Sequence, residues 1–368
     1  MRRIVVSSLC ALSIALTGCS PSRIGSAGIA PSQPVPVVIW SSQDLPKGLD
    51  VLVARIDGVR WANPVSIGMV NLVAVTGAKP LPARPPGAIL PVSVGALDPT
   101  PGGTDTVSRT LARGEAVLTT TAAALRGMKV GSSLTVLGGG ARRGFRVGAI
   151  VPDAEGRHRE LLIPLRYAAA LRLSQPRAII TSVAGDRVTQ VVRAMQQLTR
   201  GVPARIESGG ADVAEGTGEN VLSFEMVKRI FGEFTYRPTH APFVAPDQAW
   251  VDRNIVQVRV PLLGLIACNR RLIPQLTSAM NELVSRGLGG LVRTANGCYS
   301  PRMQTDNPYA LSRHAFGIAV DINAGTNRYG DPPAQDPRLV EVMERWGFTW
   351  GGRWLIPDGM HFEFVRFP

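Results

Sequence analysis

Apolar and polar positions change rhythm several times along this chain, and each change predicts an element. Val37-Val38-Ile39-Trp40 and Val51-Leu52-Val53 are short apolar runs that predict strands within residues 37–57. Phe145–Val151, Leu161–Leu165 and Ala178–Val183 predict three more, the first weakened by Gly148. Val188, Val191, Val192, Met195 and Leu198 then recur at helical spacing, which makes one apolar face. Further on, Ile273, Leu276, Met280, Leu283 and Val284 share a helical face, with Pro274 suited to the first turn. Asp336-Pro337 caps and starts another helix, with Leu339, Val340 and Met343 inward and Gly347 as its stop. Val256–Leu263, Ile318–Ile322 and Met360–Val365 supply strands around these helices. The later region therefore reads as α+β, with a small mixed sheet and flanking helices. A separate domain of α/β or β-rich character is expected before it.

The breaks between patterned segments predict an organisation. Residues 1–19 read as an export signal: Arg2 and Arg3 are a positive start, and Ile4–Leu16 is an apolar run too short for a stable span. Leu16-Thr17-Gly18-Cys19 resembles the bacterial lipobox, which implies a lipid on Cys19 and a membrane-anchored mature chain. Residues 20–36 are rich in Ser, Pro and Gly and read as a flexible tether. Residues 37–205 form the expected first domain, interrupted by a Pro-rich and Gly-rich stretch, 79–103, that reads as a long loop or internal boundary. Residues 206–219 read as a polar linker, and 220–368 as the second domain.

Composition adds two constraints. The 368 residues are 45% hydrophobic and 18% charged, which is enough for two modest cores and argues against wholesale disorder. The net charge of +13 favours anionic surroundings, but no basic helix, aromatic-interleaved basic strand or finger motif is present. Nucleic acid is therefore not an expected partner. Export also sets the redox state. Cys10 leaves with the signal and Cys19 carries lipid, so Cys268 and Cys298 are the pair expected to form a disulfide outside the cytoplasm, with two buried thiols as the alternative.

The chemistry concentrates near the C-terminus. The four histidines are His158, His240, His314 and His361; the first two have no chemical company and read as surface or loop residues. From Ile318 the chain alternates with period two, so Asp321 faces away from the apolar row Ile318, Val320 and Ile322. His314 precedes that strand across Gly317, which can turn the chain back. In the second segment Met360, Phe362 and Phe364 are apolar, while His361 and Glu363 face the other way. If the two strands pair, His314, Asp321 and His361 converge. Two imidazoles and a carboxylate with a fourth position open to water suit catalytic zinc. Asp358 lies just outside the second strand and could take a proton from that water, because zinc lowers its pKa to about 7. Trp346, Phe348 and Trp350 read as core rather than as a substrate platform.

These segments resemble the zinc D-Ala-D-Ala carboxypeptidases and L-alanyl-D-glutamate endopeptidases, a family that includes VanY-like enzymes and phage endolysins. The family pattern Ser-x-His-x-x-Gly-x-Ala-x-Asp is met by Ser312, His314, Gly317, Ala319 and Asp321. The later acidic residue three before a His is met by Asp358 and His361. The resemblance implies zinc on His314, Asp321 and His361, Asp358 as general base, and Ser312 as a substrate contact. It also implies that Arg302, in Tyr299-Ser300-Pro301-Arg302, steadies the scissile carbonyl, with peptidoglycan stem peptide as substrate. Glu363 is then either a residue orienting a ligand or a structural ion-pair partner. The carboxypeptidase branch has Glu before a Trp-His pair, whereas this chain has Asp358 and Met360-His361; that departure favours the endopeptidase-like branch without fixing the bond. A D,D-carboxypeptidase and an inactive zinc-containing wall-binding module are the alternatives. Residues 107–205 resemble, more weakly, the small extracytoplasmic domain of FtsX-like ABC permeases through Gly127–Gly131 and the strands Phe145–Val151 and Leu161–Leu165. That likeness would give the first domain a permease or wall-enzyme partner.

Overall fold

A computed structural model describes residues 33–157, 159–209, 221–305, 307–308 and 310–368. The export signal, Cys19, most of the tether, His158 and most of the linker lie outside the described residues.

The first half builds one nine-stranded sheet. In chain order its strands are β1 (Pro34–Ser41), β2 (Val59–Thr76), β3 (Pro91–Leu97), β4 (Ala116–Thr119), β5 (Ser133–Gly138), β6 (Ala141–Val151), β7 (Leu161–Pro164), β8 (Pro176–Ala184) and β9 (Ala204–Ser208). Their spatial order is β3-β7-β4-β6-β5-β2-β8-β1-β9, and β2 also pairs with β3. The long strand β2 serves both ends of this arrangement. Its later residues pair with β3 and β5, closing a ring of strands, while its earlier residues pair with β8. Val92, Val94, Leu134, Val136, Phe145 and Ile163 are buried in one cluster, fed by alternate residues from several strands. The β3–β7 and β4–β6 pairs are parallel and the others antiparallel, so the sheet is mixed.

Among the described residues four α-helices belong to this half: α1 (Leu49–Ala54), α2 (Thr106–Ala112), α3 (Thr120–Arg126) and α4 (Val188–Leu198). Three expectations need correction here. Val51-Leu52-Val53 lies in α1, not in a strand: Leu49 and Val53, four apart, are buried, while Val51 and Leu52 face solvent. The 79–103 stretch is no simple loop, because β3 runs through it with all seven residues buried. Its glycine and prolines masked a strand whose burial on both faces abolishes alternation. Ile206 belongs to β9, opposite Ile39, rather than to the linker.

The second half starts with α5 (Phe224–Phe231), capped by the Ser223 hydroxyl accepting from Met226 N. It continues through β10 (Tyr236–Pro238), β11 (Val244–Pro246), α6 (Gln248–Asn254), β12 (Ile255–Val260), β13 (Gly264–Asn269), α7 (Ile273–Ser285), β14 (Ala319–Asp321), α8 (Pro337–Arg345), β15 (Phe348–Trp350) and β16 (His361–Phe364). The site's sheet has the order β14-β16-β15 and is antiparallel throughout, where a mixed one was expected. Leu276, Met280, Leu339, Met343, Val320 and Phe362 share one core. Val284 does not join it and is 52% exposed; Gln275 and Ala279 take inward places on α7 instead.

The halves are stitched together. Ile89 and Tyr236 exchange backbone hydrogen bonds of 2.8 and 3.0 Å. Met69 and Ile89 from the first half pack against the second core. Lys228 on α5 reaches across to Glu160 (3.0 Å) and to the Pro91 carbonyl. Residues 33–368 accordingly form one compact unit.

Candidate metal centre

Local backbone geometry delivers the site's side chains. Arg313–Phe316 is a single 3₁₀ turn, and the Ser312 hydroxyl caps it by accepting from His314 N at 3.2 Å. Gly317 then adopts φ 65°, the left-handed conformation that reverses the chain into β14. A Cβ there would sit 2.8 Å from Asn269 N, so both conformation and space require glycine. The antiparallel register sets Asp321 opposite His361. Val320 and Phe362, on the reverse face, are fully buried.

Three ligand-type atoms converge. His314 Nε2 lies 3.2 Å from Asp321 Oδ1 and 3.3 Å from His361 Nδ1, and His361 Nδ1 lies 3.2 Å from the same Asp321 oxygen. Tetrahedral zinc with bonds of about 2.0–2.1 Å would hold its ligand atoms roughly 3.3 Å apart. The observed triangle thus matches three vertices of such a tetrahedron. The far nitrogen of each ring is also held. His314 Nδ1 meets the Cys298 carbonyl at 2.9 Å, and His361 Nε2 meets Glu363 Oε2 at 3.1 Å. Donating a proton at those atoms leaves the inward nitrogens with lone pairs for a cation. Arg313 Nε in turn donates to Glu363 Oε1 at 3.4 Å, and Cys298 is anchored by its disulfide to Cys268.

The electrostatics ask for positive charge between these residues. Burial opposes a charged His361, but hydrogen bonds to Asp321 and Glu363 outweigh it and carry the imidazole pKa to about 10. Burial would likewise raise Asp321, yet hydrogen bonds and attraction from both imidazoles hold it well below the usual carboxylate range. A divalent cation fits where this proton-rich arrangement otherwise stands.

Asp358 borders the triangle from the turn before β16, its carbonyl accepting from His361 N at 3.1 Å. Its Oδ1 is buried with no hydrogen-bond partner. Burial pushes its pKa up and the charge of Asp321 adds to the rise, against His361, His314 and Arg302. It is thus an acceptor poised for a proton, in reach of the cleft. That cleft, of about 200 Å³, is also lined by Arg302, Ser312, His314, His361 and Glu363. Arg302 donates to Thr305 Oγ1 at 3.2 Å. The Ser312 hydroxyl accepts from His314 N and keeps its own proton to donate, and Ser312 lines the cleft.

Not every histidine joins. His240 is exposed and stacks near Phe243, with ring centroids 5.0 Å apart. Among the aromatics, Phe348 is core, while Trp346 and Trp350 pack at the core's margin with their indole N–H groups bonded to Glu282 and Gly359. Sequence reasoning missed Arg313, the Cys298 carbonyl and Trp354, whose ring lies 5.2 Å from that of His361. Arg313, sitting between Ser312 and His314, carried a positional signal; a carbonyl and a lone Trp carry none.

A family model described as D-alanyl-D-alanine carboxypeptidase matches residues 305–364, the segment that holds the whole triangle and Asp358. A search of the curated proteins found no match. Among solved structures, the chain is similar to the periplasmic region of MacB from Actinobacillus actinomycetemcomitans, at 14% identity and TM-score 0.33, covering 48% of this chain and 89% of that one. It is also similar to the extracellular domain of the noncanonic ABC-type transporter YknZ from Gram-positive bacteria, at 9% identity and TM-score 0.29, covering 48% of this chain and 100% of that one.

Proposed function

We propose that this chain is a zinc-dependent peptidase acting on the stem peptides of peptidoglycan, with cleavage of the L-Ala-D-Glu type. The observation that carries the reading is the triangle of His314 Nε2, Asp321 Oδ1 and His361 Nδ1, 3.2–3.3 Å on each side, beside the unpartnered Asp358 Oδ1. Zinc bound there would supply Lewis acidity, easing loss of a proton from water and polarising a peptide carbonyl. His314, Asp321 and His361 hold the cation. Glu363 and the Cys298 carbonyl keep the two rings in orientation, and Arg313 steadies Glu363. Asp358 accepts the proton from the attacking water and can return it to the leaving amine. Arg302 offers its guanidinium to the negative charge developing on the carbonyl oxygen.

The description of the matching family model favours a second reading, a D-Ala-D-Ala carboxypeptidase that uses the same residues. Asp358 and Arg302 speak against an inactive binding module, since a purely structural site needs neither.

The export signal, the lipobox-like Cys19 and the Cys268–Cys298 disulfide support an extracytoplasmic, lipid-anchored location. Among the described residues no helix is long and apolar enough to cross a membrane. Mass spectrometry of defined muropeptides, incubated with zinc-loaded protein and with chelator-treated protein, tests the reading. Cleavage between L-Ala and D-Glu that stops on chelation supports it. Loss of a single terminal D-Ala selects the carboxypeptidase instead, and intact peptides under both conditions refute both.

A further inference from the structure

The cleft beside the triangle is not made by the second half alone. Ser93, in β3, and Arg159, just before β7, line it from the first half together with Arg302, His314, Asp358 and His361. Arg159 stands out among these. Its neighbour Glu160 is locked into the join between the halves through Arg126, Lys228 and Ser93. The Arg159 stem lies against β3, where a Cβ on Gly95 would meet its Cγ at 3.4 Å. The chain is thus held on the Glu160 side, and Arg159 lines the cleft.

Two other arginines lie near enough to raise the local positive potential, and both have acceptors. Arg177 bonds Asp44 at 2.9 Å and the Ser42 carbonyl, and Arg313 bonds Glu363 and the Leu222 carbonyl. The Arg159 guanidinium, unlike its backbone N–H, has no hydrogen-bond partner among the described residues. The carboxylate that attracts it is Glu225, whose own oxygens are buried without a hydrogen-bond partner. Burial and the nearby Glu160 raise Glu225 to about 7, so near neutral pH this carboxyl is only partly charged. Burial and repulsion from Arg177 and Arg313 lower Arg159, against Glu225, but only to about 10, so it keeps its charge at neutral pH. The cleft therefore has a catalytic wall from one half and, from the other, a charged fork with unused donors. A planar guanidinium of this kind matches a carboxylate in two-point contact.

We propose that Arg159 is a specificity-determining residue that binds a carboxylate of the peptide substrate, so that the first half of the chain completes the substrate site. This rests on reading the cleft as a peptidase site. In a stem peptide the carboxylate has two sources: the α-carboxylate left free by a γ-linked D-Glu, and the chain terminus. Either would be fixed at a distance from the scissile bond, and a peptide lacking it would leave Arg159 unpaired in the complex.

The test measures binding to the full chain carrying Asp358→Ala, so that turnover does not intervene. The probe is fluorescently labelled L-Ala-γ-D-Glu-L-Lys in three forms: both carboxylates free, the glutamate α-carboxylate amidated, or the terminal carboxylate amidated. One of the two amides should bind about tenfold more weakly than the free acid, and which one identifies the carboxylate. Adding Arg159→Gln should remove that preference, and Arg159→Lys should restore part of it. Thermal melting of each variant shows whether it is folded. Binding of all three forms alike, or a preference that survives in folded Arg159→Gln protein, overturns the role of Arg159 and leaves the peptidase reading standing. Failure of every form to bind overturns both.

Discussion

Arg126, Glu160, Lys228 and Glu233 meet where the two halves of the chain join, while His314, Asp321, His361, Glu363 and Arg313 meet beside the cleft. Both are clusters of buried charge, and they are finished differently. In the first, Glu160 accepts from Arg126, Lys228 and the Ser93 amide, and Lys228 is bonded on every side; Arg126 Nε alone lacks an acceptor. In the second, three ligand-type atoms point at one another and Asp358 Oδ1 is left without a partner. Unmade hydrogen bonds in a buried site cost free energy, so the second arrangement is one that a bound cation and water would complete. The difference separates a cluster that holds the molecule together from one that is open to chemistry.

Four variants break or sharpen this contrast. The largest expected effect falls on turnover: Asp358→Ala should lower kcat about 10²–10⁴-fold while metal content stays at the wild-type level, as read by steady-state peptide hydrolysis alongside metal analysis. Glu160→Ala should act on stability instead. It takes a shared carboxylate from two buried cations, Arg126 and Lys228, which keep only the Glu233 carboxylate, and should cost about 3 kcal/mol in urea unfolding, with zinc content per folded molecule unchanged. Replacing Cys268 and Cys298 together by Ser should cost about 2–4 kcal/mol, because the bond closes a loop with a separation of 30 residues. That pair should also weaken metal binding, since the Cys298 carbonyl orients His314 Nδ1.

The smallest effect concerns pH. Glu225 has its folded pKa raised from 4.5 to about 7. The folded state therefore binds the proton more tightly than the unfolded chain, and stability falls as pH rises from about 4.5 through about 7. Glu225→Gln should remove that decline and add about 2–3 kcal/mol at pH 8, as read by unfolding at pH 5 and pH 8. Glu160 has the opposite sign: burial opposes its charge, but Lys228 and Arg126 hold its pKa below the usual value, so its contribution is lost in acid.

The site was largely legible because its geometry is local. Period-two alternation around Asp321 and His361, one glycine before β14 and one strand pair are enough to bring three ligand-type side chains together. The helices α7 and α8 were legible for a similar reason, through spacing and an Asp-Pro start. The first half was harder. In β3 every residue is buried, so no alternation marked it, and its Pro-rich and Gly-rich surroundings read as loop. In α1 the three apolar residues Val51-Leu52-Val53 looked like a strand, and only packing of Leu49 and Val53 against the sheet made the segment a helix. The charge cluster at the join draws residues 107 positions apart, Arg126 and Glu233, and no sequence pattern announces a pairing that distant. Arg159 was hidden for the same reason, since it gains meaning only where the first half meets the cleft.

The central claim is that the open cluster is a metal centre whose ligands are distinct from its proton acceptor. Calorimetric titration of zinc into metal-free full chain, compared with His314→Ala and Asp358→Ala, tests it most directly. One zinc per chain should bind the wild type and Asp358→Ala with similar affinity, and His314→Ala should lose that binding. Equal zinc binding by the wild type and His314→Ala, or loss of binding in Asp358→Ala, would contradict it.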